Sequence, residues 1–237
     1  MTRLYENPPA EIIHSGRKLK LTETDDVLFR CDGCKEPGYG RRYTCDCGGN
    51  SFDLHTCCAV TEDTLKHPLF GDLTFEFLKE PPPAADQKTK CDACGEEASG
   101  FVYHCKKEDR DLHPCCASLK ECVIQDTRVF ERRQKASRPC GMCSKNNGNF
   151  WAYRTYLDGK AVDLHLACMK KMARLSWESA SQNRVGGAQI VRPSDASIES
   201  MLRSLRGNTR SSDGFDTFTR QIAGTVVSAA IAVIFGL

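Results

Sequence analysis

The segment Asp-Leu-His-x-x-Cys is written three times in this chain, at Asp53 to Cys58, Asp111 to Cys116 and Asp163 to Cys168. Each copy lies downstream of a CxxC pair: Cys31 and Cys34, Cys91 and Cys94, Cys140 and Cys143. Thiolate sulfur and imidazole nitrogen are the donors that zinc accepts in a tetrahedron, and four protein donors with no open position make a structural rather than a catalytic site. A period of roughly 50 to 60 residues also marks a repeat, which has to be recognised before any other fold reasoning.

Composition favours small metal-stapled modules over one large core. Fifteen cysteines stand in 237 residues, of which 8% are aromatic and 40% apolar, so a 50-residue unit has little apolar surface to bury. Domains of that size need disulfides or a metal. The N-terminal stretch MTRLYENPPAEIIH has no apolar run of the secretory kind, which favours reduced thiols on the intracellular side. The odd cysteine count and the histidine that follows each CxxC agree, since a disulfide framework has no use for histidine. Thirty-three basic and 31 acidic residues leave a net charge of +2, with no general attraction to nucleic acid. The local basic run from Arg128 to Arg138 reads as a solvated connector.

The elements that must position these donors are short. Val27, Leu28 and Phe29 before Cys31, and Leu73 to Phe77 before Cys91, read as strands. After each of these two CxxC pairs a glycine-containing loop leads to a second strand, GYGRRYTC ending at Cys45 and SGFVYHC ending at Cys105, with ten residues between Cys34 and Cys45 and ten between Cys94 and Cys105. The DLHxxC element reads as the start of a short helix, its aspartate near the N-terminus and its His and Cys three apart on one face. His14, His67 and Cys122 sit at comparable points ahead of the three CxxC pairs and are read as unit boundaries.

His14, Cys31 and Cys34, Cys45, Cys47, His55 and Cys58 in DLHxxC, and His67 in LKHP together resemble the plant cysteine/histidine-rich (CHP-rich) zinc finger, a divergent relative of the phorbol-ester/diacylglycerol-type domain of protein kinase C. The resemblance spans about residues 11 to 175 and is weaker in the second and third units. It implies small α+β, cross-braced modules stapled by Zn2+, with short strands and a short helix per repeat. One site would take Cys31, Cys34, His55 and His67, the other His14, Cys45, Cys47 and Cys58. In the second unit, with Cys91, Cys94 and His113, Glu108 occupies the place expected for a cysteine, so the set His67, Cys105 and Cys116 lacks a fourth thiolate. The third unit keeps Cys140, Cys143, His165 and Cys168, a single treble-clef zinc site, with Cys122 upstream. Cys57 and Cys115 read as small buried residues.

The expected layout is therefore a first finger over 11–67, a second over 68–122, a third over 123–175, a linker with a short amphipathic helix over 176–221 and an apolar helix over 222–237. Ile198, Met201, Leu202 and Leu205 form the stripe of that linker helix. The last sixteen residues carry no charge, and Gly224, Ser228, Ala232 and Gly236 recur every four, as in helices that associate within membranes. This tail reads as a membrane anchor, with the fingers held on the cytoplasmic side by the upstream arginines, against a buried terminal helix or an oligomerisation seam.

Every motif residue has a ligand's task, which leaves no nucleophile and base, so the chain reads as a non-enzymatic, zinc-stabilised protein-interaction module in intracellular signalling or stress response. Protein-disulfide reduction is the enzyme alternative, because CxxC is also a redox motif, but it requires a thioredoxin-type βαβ context. A RING ubiquitin ligase fits poorly for want of a second closely spaced CxxC after the histidine. Diacylglycerol binding is disfavoured because the loops EPGYGRR and EEASG are polar.

Overall fold

The structure is a computed structural model and describes residues 7–23, 28–46, 51–83, 88–125, 127–146, 148–157, 159–182, 224, 226–230 and 234. The chain divides into two compact units at Leu119 and Lys120. The first contains β1 (Glu11–His14), β2 (Arg17–Thr22), β3 (Leu28–Arg30), β4 (Pro37–Tyr39), β5 (Arg42–Asp46), β6 (Ser51–His55), α1 (Thr56–Ala59), β7 (Thr64–Lys66), β8 (Thr74–Leu78), β9 (Val102–Cys105), β10 (Arg110–Leu112) and α2 (Pro114–Ala117). The second contains β11 (Cys122–Gln125), β12 (Arg128–Arg133), β13 (Ala152–Leu157), β14 (Lys160–His165) and α3 (Leu166–Gln182). These are small strand-rich modules with few short helices.

Three four-stranded antiparallel sheets organise them, in the orders β1-β2-β5-β6, β10-β9-β8-β7 and β11-β12-β13-β14, with β3 and β4 pairing separately. Each sheet thus begins with a hairpin built from a stretch that the sequence marked as a boundary. His14 pairs with Arg17 at the turn of β1 and β2, His67 follows β7, and Cys122 opens β11. Residues 64–67 accordingly belong with the second sheet, and α3 continues through Gln182, beyond residue 175. The basic run at Arg128 is a strand rather than a connector. Along β12, Phe130 is fully buried, and the Arg132 guanidinium lies 5.0 Å above the Trp151 ring, a cation–π contact that lets the charged head sit in the interior.

The aspartate, leucine and histidine of DLHxxC form no helix start. In the first and third copies they end strands β6 and β14; in the second Asp111 and Leu112 end β10 and His113 stands at the N-cap of α2, and in every copy the helix begins with the residue after the histidine. The physical reason is ladder pairing: β6 stays in register with β5 as far as the pair Arg42 and His55, and β14 with β13 as far as Ala152 and His165. Period-two alternation then sends Leu54, Leu112 and Leu164 into the core, where all three are fully buried.

Within the first unit the two sheets share one core. Phe101 and Cys115, from the second DLHxxC region, pack with Leu19, Phe29, Tyr43 and Leu54 of the first. Phe77 meets Phe101 edge-on with ring centroids 5.2 Å apart, a favourable aromatic geometry.

The linker helix expected around Ile198 to Leu205 lies outside the described residues, as do Cys47, Ala232 and Gly236. Gly224, 226–230 and Ile234 are helical, and Val226, Val227, Ala229 and Ala230 are buried. Val226 shares a lining with Phe130, Thr155, Leu157 and Leu164 of the third sheet. Among the described residues, no helix is long and apolar enough to cross a membrane.

Candidate metal centres

Each CxxC is a tight knuckle. The Cys31 N–H donates to the Glu36 carbonyl and the Lys35 N–H returns to the Cys31 carbonyl, both at 3.0 Å. The same pair of bonds joins Cys91 with Glu96 and Gly95, and Cys140 with Lys145 and Ser144. Closing the knuckle drives the residue after its second cysteine to positive φ: 65° at Lys35, 74° at Gly95 and 59° at Ser144. Only glycine takes that conformation without steric cost.

The knuckles deliver their thiols to the histidine and cysteine of DLHxxC. Cys31, Cys34, His55 and Cys58 form one group, Cys91, Cys94, His113 and Cys116 a second, and Cys140, Cys143, His165 and Cys168 a third, the donor atoms of each lying within 4.8 Å of one another. From Nδ1 of the histidine, the two sulfurs lie at 3.4 and 4.0 Å in the first group, 3.4 and 3.8 Å in the second and 3.5 and 3.9 Å in the third. A tetrahedral ion with metal–sulfur bonds of about 2.3 Å and metal–nitrogen bonds of about 2.0 Å has sulfur–nitrogen edges near 3.6 Å. The donor sets therefore fit a metal ion of zinc's size.

The surroundings also prepare the donors. Nε2 of His55 lies 3.2 Å from the Pro37 carbonyl and Nε2 of His113 lies 3.0 Å from the Glu97 carbonyl. A carbonyl only accepts, so the ring proton sits on Nε2 and the Nδ1 lone pair faces the thiols, the outer-shell device that orients a ligating histidine. The third group differs, because Nε2 of His165 is buried without a hydrogen-bond partner. Backbone N–H groups stabilise sulfur as an acceptor: His113 donates to Cys91 Sγ at 3.4 Å, and Met142 and His165 donate to Cys140 Sγ at 3.4 and 3.3 Å.

Electrostatically, burial and the neighbouring thiols act in opposite directions on the donors of the first group. Burial disfavours a charged His55, yet the thiolates of Cys115, Cys31 and Cys34 outweigh it and hold the ring well above the usual imidazole range. Burial pushes the Cys34 thiol up, while at Cys31 the hydrogen bonds from Cys34 and Cys58 overcome burial and drive the thiol down. Such a set binds a metal by giving up protons.

A role the sequence reading missed belongs to the aspartate. The Asp32 N–H donates to the Asp53 carbonyl and the Asp53 N–H to the Asp32 carboxylate, both at 2.8 Å, and Arg42 Nε donates to the Asp53 carboxylate, also at 2.8 Å. Asp111 makes the same exchange with Asp92, and His104 lies 3.0 Å from its carboxylate. Asp163 accepts from the Ser137 and Arg138 N–H groups and from Arg154 Nε, and its carbonyl takes the Gly141 N–H. In the first two copies the tie between knuckle and strand runs through the Asp32 or Asp92 carboxylate and the backbone of Asp53 or Asp111, and in the third through the carbonyl and carboxylate of Asp163. The only sequence signal of the DLH aspartate was its recurrence in all three copies.

The grouping differs from the partition that the resemblance implies. Cys58 joins Cys31, Cys34 and His55, and Cys116 joins the second CxxC. His67 is buried beside the turn Pro68–Phe70, where its Nδ1 accepts from the Leu69 N–H at 3.2 Å. His14 packs on Phe52 and Phe101, with centroids 6.1 and 5.8 Å away. Cys45 is disulfide-bonded, so its sulfur is not presented as a thiolate. Cys105 is buried and Cys122 exposed, and among the described residues neither joins a group of three donors. Cys57 and Cys115 are buried, as the sequence led us to expect, and their sulfurs meet 3.3 Å apart.

Residues 66–117 match the family model of the C1 domain. The match contains His67 and the whole second donor group. No curated protein matches the chain, and no solved structure does.

Proposed function

We propose that this chain is an array of three zinc-stapled fingers of the cysteine/histidine-rich type that serves as a non-enzymatic protein-interaction module inside the cell. The observation that carries this reading is the closed donor shell written three times: three thiols and one imidazole gathered on a knuckle and a strand end, with the imidazole aimed by a backbone carbonyl in the first two. Four protein donors complete a tetrahedron and leave no position for substrate, which suits a structural ion. The C1 match over 66–117 supports zinc as the ion and the finger as the unit. The polar loops beside the CxxC knuckles argue for recognition of protein rather than insertion into lipid.

The test joins metal content to partner capture. Full-length protein isolated without chelator should carry at least three zinc ions by elemental analysis, and proximity labelling in cells should yield neighbours that disappear when Cys34, Cys94 and Cys143 are all replaced by serine. Metal-free protein with unchanged hydrogen exchange, or robust insulin reduction by the zinc-loaded chain, would overturn the reading. Sedimentation with diacylglycerol-containing vesicles, abolished by the same substitutions, would replace protein recognition by lipid recognition. The tail 222–237 enters this proposal as a membrane tether of the array, checked by comparing the labelled neighbours with and without it.

A further inference from the structure

Among the described residues, three free thiols of the first unit stand outside the three finger donor groups, Cys57, Cys105 and Cys115, and two of them meet. Cys57 and Cys115 are the residues just before Cys58 and Cys116, on α1 and α2, and both are nine-tenths or more buried. Their sulfurs approach to 3.3 Å, and Cys115 Sγ is 3.4 Å from His55 Nδ1. Cys115 is also within thiol hydrogen-bonding reach of Cys34 and Cys58. His55, Cys57, Cys58 and Cys115 hold their donor atoms within 4.8 Å of one another, as closely as the donors of each finger. The corresponding position of the third copy is Ala167, so a small residue satisfies the helix there without sulfur.

The Nδ1 lone pair of His55 is single and serves the first finger's ion. A second ion beside it must therefore complete its shell with sulfur, and thiolates, unlike imidazole, have lone pairs enough to join two metals. We propose that Cys57 and Cys115 bind a second thiophilic divalent ion, with Cys58 as the thiolate that bridges it to the first, so that the first unit contains a two-metal thiolate cluster. This rests on the zinc-finger reading of the Cys31, Cys34, His55 and Cys58 group. Binding converts the Cys57 and Cys115 thiols to thiolates and releases their two protons to solvent; no redox change occurs, and two new thiolates balance the new divalent charge. Soft sulfur donors select zinc-like ions over magnesium or calcium.

The consequence is architectural. Cys57 comes from the first DLHxxC and Cys115 from the second, so the ion cross-links α1 to α2 at the shared core around Phe101. Metal occupancy would then couple the two sheets of the first unit, which a set of independent fingers cannot do.

The experiment uses full-length protein and its Cys57→Ser/Cys115→Ser variant, each reconstituted with cadmium-113. The wild type should bind one more ion per chain than the variant by native mass spectrometry. Its cadmium spectrum should contain a pair of resonances split by metal–metal coupling through the bridging sulfur, a signature that the wild type supplies even if the variant folds poorly. Equal metal content with no coupled pair would overturn the shared cluster while leaving the three fingers standing. Wild type lacking a pair of hydrogens by mass, with the loss mapped to a Cys57–Cys115 linkage, would overturn it in favour of a disulfide. Fewer than three ions in the wild type would instead bring down the finger reading itself.

Discussion

Asp32 and Asp53 exchange a reciprocal pair of hydrogen bonds, the N–H of Asp32 to the carbonyl of Asp53 and the N–H of Asp53 to the carboxylate of Asp32, each at 2.8 Å. This clasp holds the CxxC knuckle against the strand that ends at His55. It joins two segments 21 residues apart directly beside the donors of the first finger.

Replacing Asp32 by Ala removes the carboxylate that accepts from the Asp53 N–H at 2.8 Å and opens one arm of the clasp, which rests on the backbone of Asp53 and not on its side chain. Loss of an outer-shell partner weakens a metal site by about 10- to 100-fold. Competition against a chromophoric chelator should show a drop of that size for one ion, with the other two unchanged; an unaltered titration would mean that the clasp does not position the knuckle.

The third donor group should release its ion first. Nε2 of His165 has no hydrogen-bond partner, whereas those of His55 and His113 face carbonyls. An unanchored imidazole is a poorer ligand, by roughly 10-fold. Hydrogen exchange followed during stepwise chelation should open β13, β14 and α3 before the first unit, and the reverse order would contradict the argument.

Gly100 packs directly against the backbone of the first CxxC knuckle. A Cβ there would sit 2.1 Å from the Gly33 carbonyl oxygen, a backbone atom that cannot swing aside, and the Phe101 N–H to Gly33 carbonyl bond at 3.1 Å would be pushed apart. Gly100→Ala should destabilise the first unit by roughly 1–3 kcal/mol, the usual cost of overpacking. Segment-resolved exchange should place the loss in 28–117 and leave the second unit unaffected.

Lys35 and Ser144 hold positive φ at the knuckles where Gly95 does so freely. Lys35→Gly and Ser144→Gly should each relieve about 1 kcal/mol of backbone strain, offset in part by the greater freedom of glycine in the unfolded chain. Urea denaturation of the metal-loaded protein measures the sign. A clear loss of stability would show that the lysine or serine side chain contributes more than the strain it imposes.

Much of the site was legible because metal ligation is encoded by residue type and spacing. The CxxC pairs and the three DLHxxC copies named the twelve donors of the three groups outright. Other features depended on strand register, which spacing does not reveal. His55 and His165 end strands, because β6 and β14 keep pairing up to them, and the helices begin one residue later. For the same reason the stretches containing His14, His67 and Cys122 are leading hairpins, and Arg128 to Arg133 is a strand whose alternate residues Phe130 and Arg132 turn inward.

By itself, the sequence determined that CxxC and DLHxxC are each written three times at the spacing of metal ligands, since donor chemistry and local spacing are properties of the linear chain. Only the tertiary structure decided which donors gather into one group, that the backbones of Asp53 and Asp111 and the carboxylate of Asp163 are clasped to the knuckles, and that Cys57 meets Cys115 across α1 and α2. Those relations join residues about 20 to 60 positions apart, and the distance between them is set by sheet register and core packing.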